Sequence, residues 1–189
     1  MPLSQADERV LIHTRTIDLK VYRRADDCYD VEGHIMDVKP FPHHMLDSHR
    51  AAGEPIHDLS LRLTFDRQMI VTKAEAKLDM GAHGLCHEVA PNFASLAGLH
   101  VGPGWNRNVR ERVGHGRGCT HLVEMLAQMA TAAMQAMWSE REPDGEVDRP
   151  AEERELKPGL INTCYAYRPH SPFVKEFFPK QYEPEETEA

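Results

Sequence analysis

No run of this chain approaches the ~20 uninterrupted apolar residues that cross a bilayer, and the opening MPLSQADERV has neither the basic flank nor the apolar stretch of a signal peptide. A cytoplasmic location with no membrane contact is expected. Cysteine is also scarce: Cys28, Cys86, Cys119 and Cys164 are too few in 189 residues for a disulfide scaffold, so free thiols or ligands are expected. No two of them have the Cys-x-x-Cys spacing of a structural zinc site. Excess positive charge is missing too. A formal net charge of −8 argues against binding along phosphate backbones, which leaves a small-molecule substrate, other proteins or a second copy in a homodimer as partners. There is no phosphate loop, dinucleotide fingerprint or Gly-x-Ser-x-Gly elbow, so no nucleotide-based cofactor is expected.

What is present is an ordinary globular composition, 41% hydrophobic and 28% charged, in a length that suits one domain. The expectation is a single α+β domain over 1–179 with a charged linker at 139–157 inside it and an acidic tail at 180–189. From Leu11 to Val38 the apolar period is two, with Ile17, Leu19 and Val21 sharing one parity and Val31 and Ile35 another after the ADDCYD turn, which reads as a β-hairpin. A second hairpin alternates Leu59, Leu61, Leu63 and Phe65 with Ile70, Thr72, Ala74, Ala76 and Leu78 around a turn at 66–68. The Pro- and Gly-containing stretch KPFPHHMLDSHRAAGEP between them predicts a long surface connection.

After GAHGLC the period becomes helical. Val89, Phe93, Leu96 and Ala97 predict a short helix ended by Gly98, and Trp105 to Val113 a second one closed by GHGRG. The strongest helix starts near Cys119, where Leu122, Met125, Leu126, Met129, Ala133 and Met137 recur on one face. An antiparallel sheet of two or three hairpins packed on this long buried helix is the expected architecture, with LINTCYAY and PFVKEFF as a last hairpin.

Groups suited to chemistry gather at element ends. His57 shares parity with Leu59 and should face the apolar side, while Asp58 points away. Cys119 and His121 lie in GRGCTHL at the start of the long helix, where free backbone N–H groups suit an anionic sulfur; Thr120 as N-cap with Glu124 gives the purely structural alternative. Cys86 stands beside His87 before the short helix. His57, Asp58, Cys86, Cys119 and His121 thus form one ligand set for zinc or iron. His57, Asp58, Cys119, His121, His34 and Tyr22 form an acid–base set. Arg15, Arg23 and Trp105 are candidates for holding an anionic or phenolic substrate. His43, His44 and His49 are close enough in sequence to catch a metal, and solvation explains them equally well.

The ordered motifs HTR, VEGH, GEPIHDL, GPGW, GCTHL and INTCYA resemble a bacterial domain-of-unknown-function family (DUF 2889), over His13 to about Pro179. That resemblance implies no established activity. Its usual Asp before the last Thr-Cys is Asn162 here. The order Ile56-His57-Asp58, Leu85-Cys86-His87, Cys119-Thr120-His121 is also similar to the iron–sulfur cluster scaffold (NifU-like) proteins, with His57 where a first cysteine stands; this implies a zinc or mononuclear iron site rather than cluster assembly. Together these features predict a small catabolic enzyme, a lyase or hydro-lyase acting on an aromatic or acyl intermediate by His/Asp chemistry, or alternatively a metal-binding or scaffold-like protein.

Overall fold

A computed structural model describes residues 3–141, 149–156 and 159–185. The chain divides into two compact units, 1–137 and 138–189. The first is α+β. Strands β1 (Thr14–Arg23), β2 (Tyr29–Val38), β5 (Pro55–Phe65) and β6 (Val71–Met80) make one antiparallel sheet in the order β1-β2-β5-β6. The expected surface connection holds a two-stranded ribbon, β3 (His43–His44) with β4 (His49–Arg50), across which the rings of His44 and His49 lie 4.4 Å apart.

Alternation decides which face is covered. Val31, Ile35, Leu59, Leu61, Leu63 and Phe65 are buried on one side of the sheet. Helix α2 (Thr120–Arg141) buries Leu122, Met125, Leu126, Met129, Ala133 and Met137 in the same core cluster, as its spacing predicts. Its approach is close at Gly33, where an added Cβ would stand 2.8 Å from Met125 Cε. Helix α1 (Trp105–Val113) lies as expected, whereas the stretch before it is a 3₁₀ segment, Gly84–Leu96, that buries Phe93 and Leu96.

Three register breaks shape the sheet. One falls at Thr64/Phe65, where Thr72 is the extra residue on β6; it reverses the expected parity, so Met69 and Val71 are buried in place of Ile70 and Thr72. The other two, at Asp37/Val38 and Asp58/Leu59, flank the end of β5 that carries His57.

The second unit corrects the expected last hairpin. Pro172–Phe177 is a helix, α3, with Ser171 as its N-cap accepting from the Val174 N–H at 3.1 Å and Pro172 in its first turn, which is the ordinary chemistry of a helix start. Residues 160–170 are turns, in which Asn162 takes a left-handed φ of 62° that asparagine tolerates. Tyr167 packs edge-on against Phe173, with ring centres 5.6 Å apart. The expected linker 139–157 is in part regular: α2 runs to Arg141 and a 3₁₀ turn forms at Ala151–Glu153, while 142–148 and Lys157 lie outside the described residues, as do 186–189 of the tail. Among the described residues no helix is long and apolar enough to cross a membrane.

Candidate functional site

Register places three side chains in one row. Arg15 on β1 pairs with Asp37 on β2, and Asp37 pairs with His57 on β5. All three share the covered face, and the Asp37 side chain is 1% exposed. A carboxylate so buried needs partners on every side. Arg15 supplies a fork, Nε donating to Oδ1 at 2.8 Å and Nη2 to Oδ2 at 2.7 Å. His57 Nδ1 lies 2.8 Å from Oδ2, and His13 Nε2 3.3 Å from Oδ1.

Burial is the largest single influence on Asp37 and raises its pKa, but the hydrogen bonds and charges of Arg15 and His57 together outweigh it and hold the carboxyl at about 2. An ionised carboxylate only accepts. The proton between the two groups therefore sits on His57 Nδ1, which fixes the tautomer and leaves Nε2 for exchange with another molecule.

The start of α2 completes the group. The Cys119 carbonyl accepts from the Val123 N–H at 3.0 Å, so Cys119, rather than Thr120, occupies the N-cap position. His121, one residue into the helix, lies against His57 with ring centres 4.1 Å apart and the ring planes tilted by 46°, and its Nδ1 lies 3.7 Å from Cys119 Sγ. Desolvation, then the neighbouring His57 and Arg15, push the His121 pKa below its ordinary value. Its imidazole is neutral at pH 7.

Asp37, His57 and His121 each bring a ligand atom to within 4.8 Å of the others, the set among the described residues spaced to hold a metal ion. Of the expected ligand set it includes His57 and His121. Asp58 follows His57 along a strand and so faces the opposite side of the sheet, where its Oδ1 lies 2.7 Å from His34 Nε2. Cys86 sits within the 3₁₀ segment, its Cβ crowding Gly81. Tyr22 and His34 line an open-face groove of about 340 Å³ with Lys20, Glu32 and Arg62. The expected acid–base residues are thus split between two faces.

The substrate-holding candidates also separate. The Arg15 guanidinium is committed to Asp37. Arg23 pairs with Tyr29 at the other end of β1, eight residues or about 26 Å along the strand from Arg15. Trp105 is buried, its Nε1 donating to the Leu126 carbonyl at 3.0 Å, so it serves the core.

Sequence reasoning passed over Asp37, though its signal was there: it continues the parity of Val31, Gly33 and Ile35, and an acidic residue on an apolar face calls for a partner. His13 continues the parity of Arg15 in the same way.

No curated protein and no solved structure matches the chain. A family model described as "Protein of unknown function (DUF2889)" matches residues 13–135, well over half of the chain, and the chain belongs to that family.

Proposed function

We propose that this protein is a small enzyme, a lyase or hydro-lyase acting on an aromatic or acyl substrate by proton transfer at His57. The observation that carries the reading is the buried, ionised Asp37 bonded to His57 Nδ1, an arrangement that holds the imidazole in one orientation. In a hydro-lyase step, Nε2 takes a proton from the carbon beside the substrate carbonyl. The bond to the β-hydroxyl then breaks, and the same proton is delivered to the departing oxygen, so water leaves and His57 returns to its resting state. Neutral His121, in ring contact with His57, adds no competing charge to the imidazolium. An open cleft of about 470 Å³ lies beside the start of α2, lined by Gly114, Gly116, Gly118, Thr120 and Glu124, but neither His57 nor His121 lines it.

A second reading rests on the 4.8 Å spacing of Asp37, His57 and His121. In it His57 and His121 hold zinc or iron, with Cys119 at hand beside His121. Asp37, whose oxygens already serve Arg15, His57 and His13, then acts as the outer carboxylate that orients a ligating histidine.

One experiment separates these readings. Untagged wild-type protein and His57→Ala are assayed for hydration and elimination on a panel of conjugated acyl and aryl compounds by ultraviolet absorbance, with elemental analysis of the same samples. Turnover that falls by roughly 10²–10⁴ in the variant, at unchanged circular dichroism, is expected. Equal turnover in the variant removes His57 from the chemistry; one metal per chain without turnover favours the second reading.

A further inference from the structure

Strand β1 is an open edge. The strand order places it at one end of the sheet with β2 on its inner side alone. The opposite edge is protected: where β6 begins, Val71 exchanges backbone hydrogen bonds with Gly98 and Leu99, and Met69 accepts from Val101. β1 has no such cover among the described residues. Its ten residues pair with β2 in unbroken register and contain no proline, so neither a bulge nor a proline blocks the edge, and its protection rests on the charges of Arg15, Asp18, Lys20 and Arg23. Ile17, Leu19 and Val21 belong to the core face yet stay half-exposed, because no strand lies beyond them.

We propose that this edge pairs antiparallel with β1 of a second copy about a two-fold axis at Leu19, giving a continuous eight-stranded sheet. The argument is one of register. A two-fold normal to the sheet keeps the covered faces of both copies on one side, so residues opposite each other must share parity. Among the registers that meet this condition, the one centred on Leu19 is self-complementary. On the covered face it sets Ile17 opposite Val21 and Leu19 opposite Leu19. On the open face it sets Asp18 opposite Lys20 twice, and Thr16 opposite Tyr22. Shifting the centre to Asp18 places Asp18 against itself, and shifting it to Lys20 does the same for that lysine; both cost like-charge repulsion across the strands. The favoured register also sets Arg15 opposite Arg23 twice, at the two ends of the ladder, where Arg15 keeps its fork on Asp37; what distinguishes it from the registers centred on Asp18 or Lys20 is that it alone sets Asp18 opposite Lys20. Within one copy Lys20 already bridges Asp18 on this exposed face, so dimerisation exchanges one ion pair for its equivalent.

The occupant is therefore another copy of this chain, and charge reversal tests it. Sedimentation velocity of the full chain across a concentration series should show a dimer. Asp18→Lys and Lys20→Asp should each weaken it by roughly tenfold or more, through two repulsive contacts per dimer. The double variant Asp18→Lys, Lys20→Asp should regain the wild-type Kd, and an equimolar mixture of the two single variants should form a heterodimer, since each brings the charge the other lacks. The mixture guards against misfolding, because an unfolded variant cannot be rescued by its counterpart. A wild-type monomer at all concentrations overturns the proposal, and so does a dimer indifferent to both reversals.

Discussion

Arg15 illustrates how much one side chain carries in this fold. It is about one-third exposed, at 34%, yet it forks onto a carboxylate that is almost wholly enclosed. Removing it leaves the Asp37 charge buried with two histidines as its remaining partners. Arg15→Ala should therefore cost about 3 kcal/mol, the low end for breaking a buried pair, read as a lower midpoint in urea denaturation. Asp37→Asn should cost less, since an amide still offers hydrogen bonds without a buried charge. A midpoint for Arg15→Ala within error of wild type would show the pair to be dispensable. At this scale the sequence was half legible. Parity placed His57 on the covered face and Asp58 away from it, as found, but the pairing of His34 with Asp58 and of Asp37 with Arg15 depends on strand register, which no local pattern states.

Among the elements, α2 on the sheet decides the geometry of the site. Met125 lies against Gly33 and stands one helical turn beyond His121, on the same side of the helix. A side chain added at Gly33 pushes on the turn that holds His121 over His57. Alanine asks only the flexible end of Met125 to move, whereas Gly33→Val should destabilise by about 1–3 kcal/mol and disturb the contact of the His57 and His121 rings. Nuclear magnetic resonance shifts of the two imidazoles report the second effect; unchanged shifts in a folded Gly33→Val protein would sever the link. The helix was legible because six apolar residues at strict spacing leave little alternative. The last predicted hairpin failed for a local reason. Its aromatic and β-branched residues suggested strand, yet the Ser171-Pro172 pair is a helix start, and the cap outweighs side-chain preference in a six-residue element.

For the whole molecule, titration of the site should show in stability. His121 has a folded pKa below its ordinary 6.5, so once the pH drops under about 6.5 the unfolded ring takes up a proton that the folded one refuses, and stability falls. Asp37, lowered to about 2, contributes stability that is present above the ordinary carboxylate range of about 4 and is lost as the pH falls through 2. The exposed Asp47 and Glu75, lowered by His83 and by Lys73 and Arg62, add to this second decline. Both slopes have the same sign. The Tm should hold near neutrality and fall in two stages on acidification, and His121→Asn should remove the first; a Tm that is level from pH 6.5 to 5 in the wild type would contradict this. The same part of the sheet carries two register breaks. Ile56 on β5 and Asp79 on β6 are each extra to their ladders, so the pairing on both sides of β5 is interrupted within a few residues of His57. The ladder beside the imidazole row is thus broken on both flanks of β5, against one flank at Phe65, so the leucines from Leu59 to Leu63 lie in the stretch of β5 whose pairing is continuous on both sides and the row lies where it is least so.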